Sequence, residues 1–230
     1  MRCGKQPWRN CVSRYDLVIF DWDGTLVDSI GRIVDGLRFA ADAHGLPQLE
    51  DQTLRDIIGL SLPQAFHVLH PDAPEQVTCE SFCEAYAGYY LPLEAKPSQP
   101  YAGVVLGLDR LSAAGIQLAV ATGKSRRGLD SIMSGLKWQE RFVATRCADE
   151  TASKPNPLML QEILAVTGVP MSRAVMVGDS VFDLRMAEQA GMDSVGVSYG
   201  AQSAEVLKTC EPKAMFRSFD ELLSWLLSVD

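Results

Sequence analysis

No apolar run in this 230-residue chain approaches the length that crosses a bilayer, so no membrane partner is expected. The first 14 residues, MRCGKQPWRNCVSR, carry positive charge but lack the apolar stretch of a signal peptide, and they read as a loosely held tail. Cysteine is sparse: the six, at positions 3, 11, 79, 83, 147 and 210, show neither a paired metal spacing nor the density of a disulfide scaffold. Cys79 and Cys83 are one helical turn apart, but two thiols make at most half a zinc site. Buried free thiols in a reducing cytoplasm are the expectation. Basic residues are outnumbered, with 21 Lys and Arg against 29 Asp and Glu and a net charge of −8. That opposes non-specific nucleic-acid binding, so no nucleic acid is expected as partner. Anionic substrates stay allowed, because a bound cation reverses the local field.

What remains has the composition of an ordinary globular protein, 47% hydrophobic and 22% charged, and is long enough for one large domain or two modest ones. Residues 15–20 (YDLVIF), 115–122, 141–146, 173–179 and 193–198 are short apolar runs that read as strands. Helix-length segments, 125–136, 157–167 and 181–190, separate the later ones. Near-continuous apolar strands alternating with helices predict a doubly wound α/β fold with a parallel sheet covered on both faces. In such folds the functional groups gather at the carboxyl ends of the strands.

Residues from about 28 to 97 break this alternation. Ile30, Ile33, Val34, Leu37, Ala40 and Ala41 follow helical spacing, with Gly45 as the stop. Leu54, Ile57, Ile58, Leu62, Ala65, Phe66 and Leu69 continue the pattern, then a run from Val77 to Leu91, with Pro92, Pro97 and Pro100 marking the return. The segment reads as an all-α insert, 28–97, set into a core of 15–27 and 98–230 and able to pivot as a lid.

The strand ends carry the chemistry. The first delivers Asp21 and Asp23, the second Thr122-Gly123-Lys124. The loop after the third ends in Ser153-Lys154-Pro155, and the fourth delivers Gly178-Asp179-Ser180 with Asp183 one turn on. In a parallel sheet these groups face one crevice. Each piece alone is common; their coincidence at successive strand ends is not.

The set D-x-D-G-T, T-G, K-P and G-D-x-x-x-D, in this order over about residues 15–228, resembles the haloacid dehalogenase superfamily, in its phosphatase branch with an α-helical cap, of which phosphoglycolate phosphatase is typical. The resemblance implies a Rossmann-like core with the first strand central, Mg²⁺ dependence and transfer through an aspartyl phosphate. Asp21 is then the nucleophile, and a carboxylate nucleophile divides a very slow hydrolysis into two easier displacements. Asp21 and Asp179 would ligate Mg²⁺ directly, with the backbone carbonyl of Asp23 as a third ligand and Asp183 in an outer, orienting position. Asp23 would protonate the leaving alkoxide and later deprotonate water. Thr122, Gly123 and the backbone N–H groups of Trp22 and Asp23 would hold the phosphoryl group, and Lys154 would supply fixed positive charge. The Trp22 indole is expected to pack beneath the cap, and Lys124, Arg126 and Arg127 read as a solvated helix start.

The substrate implied is a small phosphorylated metabolite, its identity set by the cap around Gly59-Leu60-Ser61. His67 and His70 read as surface or core fillers. A phosphosugar mutase on the same core and a phospho-accepting receiver module are the rivals; a dehalogenase is disfavoured because halide needs no proton from Asp23. Monomer and homodimer both remain open.

Overall fold

The structure is a computed structural model that describes residues 13–90, 92–93 and 98–228. Most of the expected tail, with Cys3 and Cys11, lies outside the described residues, as do Leu91 and Pro97.

Six strands form one sheet: β1 (Leu17–Phe20), β2 (Gln117–Thr122), β3 (Ala144–Cys147), β4 (Ala174–Gly178), β5 (Asp193–Val197) and β6 (Ala214–Phe216). Their order is β3-β2-β1-β4-β5-β6 with every neighbouring pair parallel, so β1 is internal, between β2 and β4. This is the α/β parallel sheet that the apolar runs predict. Four helices follow β1: α1 (Ile30–Ala43), α2 (Asp51–Asp56), α3 (Leu62–Leu69) and α4 (Cys79–Tyr90). The remainder are α5 (Val104–Ala113), α6 (Arg126–Leu136), α7 (Leu158–Thr167), α8 (Val181–Ala190), α9 (Ala204–Lys208) and α10 (Phe219–Leu226).

Strand alternation decides which side chain meets which layer. Val18 and Phe20 point to the face covered by α5, α6 and α10, while Leu17 and Ile19 meet α7 and α8. Each such side chain, fully buried, contributes ~1.5–3 kcal/mol relative to exposure, which is why β1 tolerates no polar residue until it ends. Helices α1–α4 close around a third apolar cluster, with Ile30, Val34, Leu37, Phe66, Leu69 and Phe82 inside. Gly36 lets α1 and α4 approach: a Cβ there would lie 2.8 Å from the Tyr86 ring. Gly45, at φ 63°, ends the first helical run as expected.

Two differences have clear causes. The third strand begins at Ala144 rather than 141, because Trp138 and Phe142 first turn inward against Trp22, at ring distances of 5.7 and 6.1 Å. The C-terminal β6 and α10 escape a search for long apolar runs, since β6 has only three residues. A capping signal was present, however: Ser218 Oγ accepts from the Glu221 N–H at 3.3 Å at the start of α10.

Candidate active site

The register of the sheet brings the site together. Phe20 pairs with both Val120 and Val177, so Asp21 leaves β1 beside the ends of β2 and β4. Thr122 closes β2 and Asp179 follows β4 directly. Asp21, Thr122, Lys154, Asp179 and Asp183 are all buried, at 1% exposure or less, and Asp23 at 7%.

Lys154 Nζ lies 2.7 Å from Asp21 Oδ1 and 2.7 Å from Asp183 Oδ1, as ion pairs rather than well-aligned hydrogen bonds. Asp179 is held at both oxygens: Thr25 Oγ1 donates to Oδ1 at 2.8 Å and the Ala201 N–H to Oδ2 at 2.7 Å. Asp183 Oδ2 accepts from the Ser180 hydroxyl at 2.6 Å and the Ser180 N–H at 3.2 Å, the capping box of α8. Gly24 and Gly200 admit the Asp179 carboxylate, because a Cβ on either would come within 2.1 or 2.2 Å of its Oδ2.

Ligand oxygens of Asp21, Asp179 and Asp183 lie within 4.8 Å of one another. Three buried carboxylates against one ammonium leave an excess of negative charge, and the protonation equilibria reflect it. Burial, then the Asp183 charge, raises Asp21 well above the usual carboxylate range, with Lys154 opposing. Burial and Asp183 push Asp179 up to about 7. Burial pulls the Lys154 ammonium down, but Asp183 and Asp21 more than reverse this and hold it above its ordinary value. The donor set is therefore one of hard oxygens lacking positive charge, which fits a small divalent cation such as Mg²⁺. Cys79 and Cys83 offer no comparable site: both are half-buried free thiols, and burial, then Cys79, pushes Cys83 up to about 12.

Asp23 has a separate environment. Ser29 Oγ donates to its Oδ1 at 2.5 Å, and Lys124 Nζ lies 3.0 Å from the same oxygen. This corrects the reading of Lys124 as solvated: its side chain is 10% exposed and its ammonium also lies 5.0 Å from the centre of the Tyr90 ring. Arg126 does turn outward, to Asp130 and Glu150. Trp22 also differs from expectation. Its indole packs in the core below the sheet edge with Trp138 and Phe142, not beneath the helical insert, leaving only its backbone near the crevice.

The insert meets the crevice through Gly59-Leu60-Ser61. A Cβ on Gly123 would lie 2.5 Å from Leu60 O and 2.7 Å from Gly59 O, and the Ser61 N–H donates to Ser153 Oγ at 3.0 Å. Gly59 itself, at φ 110°, faces Ser180 Oγ. Gln202 ties the two parts: its Oε1 accepts from the Val181 N–H at 2.8 Å and its Nε2 donates to Asp56 O at 3.0 Å. Residues 200–202 were missed in the sequence although they follow the fifth strand, where the same search of strand ends would have found them. His67 is exposed and His70 buried beside Phe66 and Phe82, away from this crevice.

The class that this site defines is an α/β fold whose parallel strand ends converge on one buried crevice of carboxylates and a lysine. The family model for haloacid dehalogenase-like hydrolases matches residues 18–197, and the chain belongs to that family. It is 34% identical over 212 residues to a protein named probable phosphatase IndB of Dickeya dadantii (strain 3937), covering 90% of this chain and 91% of that one. It is 31% identical over 211 residues to the phosphoglycolate phosphatase of Agrobacterium fabrum (strain C58 / ATCC 33970), covering 90% of each. A solved structure described as a predicted phosphoglycolate phosphatase from Haemophilus somnus 129pt superposes with a TM-score of 0.82 at 25% identity, over 93% of this chain and 98% of that one. The chain is thus an enzyme of the phosphoglycolate phosphatase-like branch, and the receiver-module alternative falls.

Proposed function

We propose that this enzyme is a Mg²⁺-dependent phosphoric monoester hydrolase that acts on a small organic phosphate through an aspartyl phosphate on Asp21. The observation that carries this reading is the buried cluster of Asp21, Asp179 and Asp183 around Lys154. Asp21 and Asp179, with the backbone carbonyl of Asp23, would hold Mg²⁺, and Asp183 would orient the set. When bound, the ion supplies the positive charge that lets ionised Asp21 approach a phosphate dianion.

Asp21 attacks phosphorus and the ester P–O bond breaks, while Asp23 gives its proton to the departing alkoxide. Asp23, now a carboxylate, takes a proton from water, whose oxygen attacks phosphorus. The bond to Asp21 breaks and inorganic phosphate leaves. Thr122 Oγ1 accepts from the Lys124 N–H at 3.2 Å, so its own proton is free to donate to a phosphate oxygen. Gly123 and the backbone N–H groups of Trp22 and Asp23 complete the cradle, and Lys154 balances the developing charge. Residues 28–97 serve as the cap, with Gly59 at the substrate, over a core of 15–27 and 98–230. Among the described residues no helix is long and apolar enough to cross a membrane, and the four described cysteines are free thiols, which fits a reducing cytoplasm.

Phosphate release from p-nitrophenyl phosphate tests the reading. Turnover should require Mg²⁺, stop with excess chelator and be lost in Asp21→Asn. Equal rates in that variant, or full turnover in chelator, would overturn it.

A further inference from the structure

A cavity of about 450 Å³ opens beside Asp21 and Asp23 and runs between the core and α1, α3 and α4. Its charge is one-sided. The charged lining residues, Asp21, Asp23, Lys124, Arg127 and Asp149, all come from core segments, whereas among the described residues those of α1–α4 and their links that line it are uncharged. On that side Ile33, Leu37, Ile57 and Ile58 stand with Tyr86 and Tyr90, whose rings stack at 5.5 Å and 18°. The Tyr90 hydroxyl is buried there with no hydrogen-bond partner among the described residues. Of the two cations, Lys124 is engaged by Asp23 and Arg127 is exposed on the first turn of α6.

The volume lies in the range of pockets that enclose whole organic ligands. A phosphorylated two-carbon acid would leave most of the apolar wall in contact with water, which is unfavourable. We propose that the preferred substrate is the monophosphate ester of an uncharged alcohol with an apolar body of ring size, seated against Tyr86 and Tyr90, with the Tyr90 hydroxyl free to meet one polar atom of that body. This rests on the phosphatase reading above.

Benzyl phosphate and phosphoglycolate are both esters of primary alcohols, so their leaving groups are comparable. The expected result is a kcat/KM at least tenfold higher for benzyl phosphate, and a smaller ratio overturns the proposal. Ala87→Arg, on the exposed part of α4 that lines the cavity, would add a cation to the uncharged wall and should move the ratio at least tenfold towards phosphoglycolate. An unmoved ratio in the folded variant counts against the assignment of this wall; if the variant does not fold, the wild-type ratio decides. Absence of turnover on both esters and on acetyl phosphate would instead overturn the phosphatase reading itself, and this proposal with it.

Discussion

Lys154 Nζ is 2.7 Å from Asp21 Oδ1, and neither side chain is more than 2% exposed. A buried ion pair adds little net stability when intact, because desolvation cancels most of the attraction. Breaking one is different, since the abandoned charges stay buried.

Lys154→Met should therefore destabilise the metal-free protein by about 3–5 kcal/mol, more than an exposed lysine would. Urea unfolding at neutral pH in chelator checks this. A loss below about 1 kcal/mol, the size of a surface pair, would show that the carboxylates do not depend on the ammonium.

Asp179 is fixed at both oxygens by Thr25 and Ala201. Wild type should be stabilised by Mg²⁺, by about 2.7 kcal/mol at a hundred times its Kd. Asp179→Asn should weaken the Mg²⁺ dependence of both stability and activity by roughly tenfold or more, since even outer-shell changes cost about 10–100-fold. Unchanged Mg²⁺ titrations would remove Asp179 from the ligand set.

Lys124 and Ser29 together orient the Asp23 carboxylate. General acid catalysis is worth about 10²–10⁴-fold, and it matters most when the leaving group is a poor one. Lys124→Met should slow an alkyl phosphate by roughly tenfold or more while p-nitrophenyl phosphate, whose phenolate leaves unaided, loses far less. Equal losses on both esters would argue that Lys124 does not act through Asp23.

The Arg173 guanidinium grips Asp16 with two hydrogen bonds, of 2.7 and 2.9 Å, and holds its carboxyl below the ordinary range. A lowered folded-state pKa means stability that is present above the unfolded value and lost as pH falls through the folded one. Asp16 is about half exposed, 49% at the side chain, so the contribution is small. Asp16→Asn should cost at most ~1 kcal/mol at pH 7, and the difference should shrink as pH falls below the ordinary aspartate range. A difference that persists undiminished in acid would refute the electrostatic cause.

Much of this site was legible in the chain because strand termination is a local event. Asp21, Thr122 and Asp179 each stand where an apolar run gives way to polar residues, and a parallel sheet puts all such ends on one edge. Even the misplaced Trp22 was readable: Val18, Phe20 and Trp22 alternate by two, so the indole shares the face of Phe20 rather than that of the insert. Lys124 was not readable, because three basic residues within four positions look alike. Packing alone turns Lys124 in to Asp23 and lets Arg126 reach Glu150.

The order of apolar and polar residues thus determined the parallel sheet, the helical insertion and the strand ends that carry chemistry, because periodicity and chain breaks act over a few residues. Only the tertiary structure decided that Lys154 stands between Asp21 and Asp183, that residues 200–202 close over Asp179, and that an uncharged wall faces the crevice. Those arrangements join segments remote in the chain, and what selects them is the shared burial of their side chains, a property no single segment possesses.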